Sequence, residues 1–400
     1  MSSEVSPNPS VESRRANRPT WLQNLTRDRL LLGLQVTAIG FLLWVVWLAL
    51  QNTVLAPPGE GYSWEQFLNQ LITGTAQGSI YALIALGYTL VYGILLMINF
   101  AHGEVFMAGA YFGFFVIYGL EQSGFLATQT SLSLILTLLA GMGGSVLVAF
   151  LVERIAYRPL RNAPRLVPLI TAIGASITLQ QLFLRLFGAS SRSFPIVNWY
   201  VPWLFPRAEC EVIDGEEICR GIDLINGRYT LLLFNGDLEL RLRPIYFLVF
   251  FISIFLMTAL WLFIRRTRLG RAMRAVAENR QAAALMGVNV DTVVVTTFVL
   301  GAALAGAGAV LFALYNRQVT PFMGFQPGIK AFTAAVLGGI GNVPGAMFGG
   351  LVLGIVESVA PSLLGIKSEL KEIVSFSVLV LILIFRPKGI FGEAVTEKKA

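Results

Sequence analysis

Long apolar runs recur along this sequence of 400 residues, and they constrain its fold more than any other feature. A helix needs about 20 residues to cross a hydrocarbon core about 30 Å thick. Because no water satisfies backbone N–H and C=O groups inside a bilayer, runs of this length form helices there. The sequence therefore predicts an all-α polytopic membrane protein.

The number of crossings depends on one ambiguous segment. Residues 327–341 are apolar but short and glycine-rich, so this segment is re-entrant, broken or a full crossing. We accordingly expect nine or ten transmembrane helices. The candidate spans are residues 30–50, 67–90, 94–119, 131–152, 168–187, 243–264, 291–315, 327–341, 344–364 and 371–387.

Little of the chain is left for a large soluble domain. Charged residues make up only 13% of the sequence, against about 25% in typical soluble domains. Residues 1–29 are rich in Ser, Pro, Asn and Arg without apolar periodicity, which predicts a disordered tail. The uncharged run at 30–50 is longer than the roughly 7–15 apolar residues of a secretory signal, so we interpret it as an extra anchor helix.

Basic residues in the short loops predict the orientation. Arginines cluster in the loops after residues 152 and 264, whereas residues 51–66 and 120–130 contain no Lys or Arg. Short loops rich in Lys and Arg stay in the cytoplasm. With ten crossings both termini are cytoplasmic, and the long loop 188–242 lies outside.

The loop 188–242 contains two hairpin signals. CEVIDGEEIC centres on Asp214-Gly215, and TLLLFNGDLEL centres on Asn235-Gly236. Asp-Gly and Asn-Gly between strand-like segments are the strongest short hairpin signals. The sequence therefore predicts a small extracytoplasmic β-hairpin insertion.

The first hairpin aligns the two cysteines of the chain. Counting outward from Asp214-Gly215 pairs Cys210 with Cys219 at a non-hydrogen-bonded position, where facing side chains approach most closely. A disulfide is the expected result in an oxidising compartment, and two idle thiols are the alternative.

Several classes of chemistry are excluded by the residues that the sequence lacks. A single His and two Cys exclude the common multi-His and Cys-rich metal sites. The sequence has no Gly-Lys dipeptide, hence no phosphate-binding GxxxxGK[ST] loop, and no GxSxG nucleophile elbow. We therefore expect no catalysis, metal or cofactor in this chain, and any ATP used for transport must be bound by another chain.

The cytoplasmic stretch 265–290 is rich in Ala, Met, Arg and Glu, which favour helix, and glycines punctuate it. A short helix along the membrane face is predicted. Residues alone leave two roles open, because a basic amphipathic helix docks into a partner's groove or lies on anionic lipid.

Two further stretches are candidates for a pathway. Residues 74–113 contain GxxxG spacings around a polar break, and residues 330–361 contain seven glycines together with Pro344, which is typical of tightly packed, discontinuous transporter helices. The polar break is a functional site if it lies at membrane depth and otherwise a cytoplasmic turn. The path or gate candidates are Asn99, His102, Gly103, Glu104, Gly339, Gly341, Asn342 and Glu357.

The sequence resembles the branched-chain amino acid permease family, in particular the subunit type of the high-affinity leucine, isoleucine and valine importer. The resemblance covers residues 67–392. The matching segments are GSIYALIALGYTLVYGILLMINFAHGEVFMAGAY, ERIAYRPLR, GRAMRAVAENRQAAALMGVN and KAFTAAVLGGIGNVPGAMFGGLVLGIVES.

This resemblance implies a permease subunit of a binding-protein-dependent ABC importer in the inner membrane. It implies a second, related permease, two ATPase subunits and an extracytoplasmic binding protein as partners. It also implies that Arg271–Met286 couples the chain to an ATPase. The residues expected there are Arg271, Arg274, Glu278, Ala283 and Gly287.

Two segments depart from the compact members of that family: residues 1 to about 60 and the loop 188–242. They resemble a branch that transports neutral amino acids broadly, so the substrate is branched-chain or wider. A urea permease of the same superfamily is one alternative. An ion-coupled secondary transporter with Glu104 or Glu357 as its ion site is another.

Overall fold

The structure is a computed structural model, and it describes residues 37, 39–40, 43–53, 61–160, 163–164, 166–199, 209–213, 216–220, 223–233 and 238–392. The predicted tail 1–29 lies outside these residues, as do 10 of the 21 residues of the predicted anchor 30–50. Residues 43–53 are helical.

The described residues are mostly helical. Helices of the first half are α1 (Trp64–Leu95), α2 (His102–Gln122), α3 (Phe125–Thr128), α4 (Thr130–Val152), a π-helix (Glu153–Tyr157), a 3-10 turn (Arg158–Leu160) and α5 (Leu166–Phe187). Those of the second half are α6 (Pro244–Arg266), α7 (Arg268–Glu278), α8 (Arg280–Leu285), α9 (Val290–Asn316), α10 (Phe325–Gly338), α11 (Val343–Leu363), a 3-10 turn (Ser368–Leu370) and α12 (Lys371–Phe385).

Seven helices in the described part of the chain are long and apolar enough to cross a membrane: α1, α2, α4 with its extension to Leu160, α5, α6, α9 and α11. The predicted span 327–341 corresponds to α10, which has 14 residues, and the span 371–387 corresponds to α12, which has 15. Both are shorter than the roughly 20 residues of a full crossing. The count of nine or ten spans is not confirmed.

Helix α1 lies at the centre of the bundle. Ser63 and Gln66 form a capping box at its start, and nearly every residue from Gly74 to Val91 is buried. Its 32 residues extend over about 48 Å, which exceeds the thickness of a hydrocarbon core. Helices α9, α10 and α11 pack around it.

Glycines let the central helices approach to backbone contact, as the GxxxG spacings predict. A Cβ added to Gly78 of α1 would lie 2.8 Å from the carbonyl oxygen of Gly350 on α11. On the other side of the bundle, a Cβ on Gly109 of α2 would lie 2.7 Å from Cα of Gly306 on α9. A methyl group at either position would therefore push two helices apart.

Both predicted hairpins have strand pairs in the structure. The strands are β1 (Arg192–Ser193), β2 (Glu209–Ile213), β3 (Glu216–Arg220), β4 (Tyr229–Leu233), β5 (Leu238–Leu242) and β6 (Gln318–Val319). The β2–β3 pairing sets Cys210 opposite Cys219, in the register predicted from the sequence. A third pair joins β1 to β6 and ties the chain after α5 to the chain after α9.

The loop between α5 and α6 is fastened to the end of α9. Asp223 accepts hydrogen bonds from the backbone N–H groups of Trp199 and Ile225, at 3.2 and 2.9 Å. The Asn226 amide donates to the Val197 carbonyl at 2.7 Å, and Arg317, which follows α9, donates to Asn226. These bonds hold the base of the loop against the helix bundle.

The register predicts that Cys210 and Cys219 form a disulfide in the mature protein. Alkylation of the unfolded chain with a maleimide should label neither thiol before reduction and both after it. A Cys210→Ser variant should leave one thiol that reacts without reductant. Equal labelling of the unsubstituted chain with and without reductant would show two idle thiols.

Candidate functional site

A buried ion pair lies near the middle of α1. The Lys330 ammonium on α10 is 2.7 Å from Oε1 of Glu357 on α11, and the two residues are 5% and 1% exposed. The sequence predicts Glu357 as a path residue without predicting a partner for it, and Lys330 is not among the predicted site residues. The two residues are 27 positions apart, so no helical spacing links them. The one available signal was that charges inside a membrane protein need partners.

Four further contacts stabilise the pair. Gln77 and Tyr81 of α1 each donate to Glu357 Oε1 at 3.4 Å, and the Ser375 hydroxyl of α12 donates to Oε2 at 3.1 Å. The Lys330 ammonium also lies 5.9 Å from the centre of the Tyr81 ring. Buried charges are tolerated when hydrogen bonds satisfy their remaining polar atoms. This network joins four helices at one point.

The ion pair borders a cavity of about 750 Å³. Its wall is formed by α1, α5, the end of α9, the loop that leads into α10, and the start of α12. Amides and hydroxyls are interleaved with apolar side chains. The lining residues are Gln77, Tyr81, Gln180, Phe312, Tyr315, Asn316, Gln318, Thr320, Phe322, Met323, Phe325, Gln326, Pro327, Lys330 and Lys371.

Glu104 lies next to this cavity, behind Gln180. It is 1% exposed, and its Oε1 accepts from Gln180 Nε2 at 2.8 Å and from the Ser176 hydroxyl at 3.3 Å. Gln180 itself lines the cavity. The described residues offer no hydrogen bond to the second oxygen of Glu104. Of the predicted path residues, Glu104 and Glu357 are thus brought near the same space.

The polar break before α2 differs from the predicted continuous span 94–119. Helix α1 ends at Leu95, where Leu96 takes a left-handed conformation, and a new helix begins at His102. The His102 ring packs 5.0 Å from the Tyr88 ring and occupies the space beside Gly87. The start of α2 is therefore buried about two turns before the end of α1.

Asn99 and Gly103 hold this break in the bundle. The Tyr157 hydroxyl, in the π-helix, donates to Asn99 Oδ1 at 2.6 Å. A Cβ added to Gly103 would lie 2.6 Å from the carbonyl oxygen of Gly324, just before α10. The break thus joins α2 to the two other interrupted segments of the fold, the π-helix and the α10 entry.

Gly339, Gly341 and Asn342 form the turn between α10 and α11. Both glycines have positive φ angles, of 103° and 97°, and Asn342 caps α11 by accepting from Gly345 N–H at 3.0 Å. The C-terminal segment 386–392 closes the turn. Ile390 N–H donates to Leu337 O at 2.8 Å.

This turn is distant from the ion pair. Asn342 precedes Glu357 by 15 residues of α11, which is about 22 Å along a helix. The structure therefore separates the predicted path residues into two sets. One is the turn at the start of α11, and the other is a central group that consists of Asn99, His102, Gly103, Glu104 and Glu357.

The stretch 265–290 forms two short helices, α7 and α8, rather than one. Thr267 caps α7 and Asn279 caps α8, each by accepting from a backbone N–H three residues later. Gly270, Met273 and Val276 are buried against the bundle, as is Ala283. The three charged coupling candidates, Arg271, Arg274 and Glu278, are exposed.

The α8 end of this stretch presents apolar side chains outward. Leu285 and Met286 are 89% and 84% exposed, and Gly287 follows with a φ of 82°. An aliphatic pair so exposed on a basic surface is typical of an interaction site.

Residues 70–383 match the protein family described as the permease component of branched-chain amino acid transport systems. The chain belongs to this family. A relative named high-affinity branched-chain amino acid transport system permease protein LivH, from Salmonella typhimurium, is 41% identical over 336 residues, covering 83% of this chain and 97% of the relative. The permease BraD of Pseudomonas aeruginosa is also 41% identical over 336 residues, with 83% and 98% coverage.

More distant relatives match less of the chain. The fructose import permease protein FrcC of Rhizobium meliloti is 29% identical over 164 residues, which is 38% of this chain and 44% of FrcC. No solved structure matches the chain. These comparisons give no support to a urea permease or an ion-coupled secondary transporter. Among the described residues, no cluster of three His, Cys, Asp or Glu side chains could hold a metal ion.

Removing one charge of the buried pair should lower the stability of the protein more than removing both charges. Glu357→Leu leaves a buried, uncompensated ammonium and should destabilise the protein by about 3–5 kcal/mol. The double variant Lys330→Met/Glu357→Leu removes both charges and should unfold at a higher temperature than Glu357→Leu alone. Thermal unfolding of the purified protein in detergent measures both. Glu369→Leu removes an exposed acid from the turn before α12 and serves as the control, with an effect within about 0.5 kcal/mol. A double variant that melts below the single variant would contradict this account.

Proposed function

We propose that this chain is a permease subunit of a binding-protein-dependent ABC importer that moves branched-chain amino acids, or neutral amino acids more broadly, across the inner membrane. The observation that carries the proposal is the 41% identity to a branched-chain amino acid permease along 97% of that permease's length. Seven apolar helices and a polar cavity beside a buried ion pair support a translocation role.

The importer requires partners that supply energy and specificity. The sequence has no phosphate-binding loop, so separate ATPase subunits are proposed to bind and hydrolyse ATP. A second, related permease is proposed to complete the translocation path, and an extracytoplasmic binding protein is proposed to deliver the substrate. The hairpin insertion then faces the binding protein, with both termini in the cytoplasm.

Helices α7 and α8 are proposed to couple the path to an ATPase. Thr267 and Asn279 fix the two helices by their caps, and the buried face of α7 anchors them to the bundle. The opposite face carries exposed Arg271, Arg274 and Glu278, and the α8 end carries exposed Leu285 and Met286. Because these helices are fixed by their caps and packed against the bundle, movement of a docked subunit is transmitted to α6 and α9, which precede and follow them.

In this proposal the central group and the glycine-packed helices form the path. Glu104 lies behind Gln180 and Glu357 behind Lys330, both of which line the cavity, and backbone contact between α1 and α11 allows the helices to slide with little side-chain rearrangement. The Gly339–Asn342 turn, held by the C-terminal segment, is assigned the role of a gate at the start of α11.

Uptake of labelled substrates tests the proposed function. A deletion strain and the same strain complemented with this chain are compared for leucine, alanine, proline, glutamine and urea. Leucine uptake should be lost on deletion and restored by the complementing chain, and loss of the other amino acids as well would show the broader range. Loss of urea uptake alone would contradict the substrate assignment. Uptake that survives ATP depletion and collapses with the ion gradient would contradict the importer.

Substitution at the α8 tip tests the coupling surface. Leu285→Asp/Met286→Asp places two charges where the proposal has an apolar contact, and an ATPase that copurifies with the chain should be recovered about tenfold less or worse. Ile196→Asp, which alters an aliphatic residue 64% exposed in the loop after α5, is the matched control and should leave recovery unchanged. Equal ATPase recovery in all three proteins would overturn the assignment of this surface.

A further inference from the structure

We propose that the cavity beside Lys330 is a low-affinity binding site for the zwitterionic backbone of a neutral α-amino acid, and that the Lys330 ammonium receives the α-carboxylate. The inference rests on the proposed function and assigns the ligand-binding group within it. Four properties of the described residues carry it.

Lys330 lies at the cavity wall, and not all the N–H donors of its ammonium have an acceptor among the described residues. An ammonium carries three N–H donors. The described residues supply one hydrogen-bond acceptor to it, Glu357 Oε1 at 2.7 Å. Lys330 is 5% exposed and lines the cavity, so the remaining donors lie in a sheltered place where a charge-assisted hydrogen bond is strong.

Glu357 acts as a positioning residue for Lys330. Its two oxygens already accept from Gln77, Tyr81 and Ser375 as well as from Lys330. A carboxylate with this many donors is saturated, and it does not line the cavity. It holds the lysine in place without presenting an anion to the ligand. The wall therefore offers a cation to the carboxylate end of an amino acid.

Gln180, which also lines the cavity, supplies an acceptor for the α-ammonium end. Gln180 Nε2 donates to buried Glu104 Oε1 at 2.8 Å, which leaves one amide N–H and the amide oxygen of this side chain for a ligand. The pair of Lys330 and Gln180 thus matches the two ends of a zwitterion in sign.

The rest of the lining disfavours a basic side chain and offers an apolar surface to an aliphatic one. No Asp or Glu is among the lining residues, so a basic side chain finds no partner there. Phe312, Phe322 and Met323 provide an apolar surface for an aliphatic group. A volume of about 750 Å³ falls within the roughly 300–1,000 Å³ of small-molecule sites, so leucine enters with room for water.

The test uses saturation-transfer difference NMR on the purified complex of this chain with its partner permease and ATPases, without the binding protein. Leucine is titrated over the millimolar range, and leucinamide, which lacks the carboxylate, is titrated in parallel. Leucine should bind about tenfold more tightly than leucinamide, because a hydrogen bond between charged groups is lost with the amide.

The decisive variant is Lys330→Gln/Glu357→Gln, which removes both charges and so avoids a lone buried ion. It should weaken leucine binding about tenfold and leave leucinamide unchanged, with an unfolding midpoint close to that of the unsubstituted complex. The control is Lys367→Gln, which removes an exposed lysine outside the cavity and should bind leucine as before.

The outcomes separate this inference from the proposed function. Leucine binding that is absent in the unsubstituted complex, or unchanged in Lys330→Gln/Glu357→Gln, would overturn the binding site while the uptake assay still supports the importer. Equal affinity for leucine and leucinamide would overturn the carboxylate assignment. If the complemented strain takes up no amino acid, the proposed function itself fails.

Discussion

Backbone contact between α1 and α11 is the constraint on which the rest of the structure depends. Gly74 and Gly78 of α1 face Gly350 and Gly354 of α11 so closely that no side chain fits between them. In a bilayer, burial of apolar surface provides little drive for helices to associate, so contact area and internal hydrogen bonds must hold them together. Close approach maximises that contact area. It also brings Glu357 of α11 within reach of Gln77 and Tyr81 of α1.

The ion pair follows from this geometry. Glu357 is supplied with donors by α1 and α12, and Lys330 extends from the short helix α10 to meet it. A helix of 14 residues cannot span a hydrocarbon core, but it can deliver one charged group to the middle of a bundle. The loop that precedes α10 also lines the cavity. Helix α10 and the loop before it thus provide part of the cavity wall and the Lys330 ammonium.

Much of this architecture could be predicted from the sequence, and the failures have physical causes. Apolar runs predicted the long helices, and the Asp214-Gly215 turn predicted the β2–β3 register. The sequence predicts a polar break at Asn99, His102, Gly103 and Glu104. Its buried position depends on Gly87 and Gly324, which lie in other segments. The Lys330–Glu357 pair depends on a crossing of helices that no local spacing encodes. Local patterns specify elements, whereas contacts between distant segments require the packing.

The closure of the α10–α11 turn has a consequence for biosynthesis. The carbonyls of Leu337 and Gly338 are bonded by the N–H groups of Ile390 and Phe391, at 2.8 and 3.1 Å. A ribosome makes those two donors roughly fifty residues after the turn, and it makes Glu357 27 residues after Lys330. During synthesis, Lys330 of α10 therefore has no Glu357 partner until α11 is made. The Leu337 and Gly338 carbonyls have no N–H donors until residues 390 and 391 are made. An early-arriving partner helix or chaperone that shields α10 would have its greatest effect in that interval.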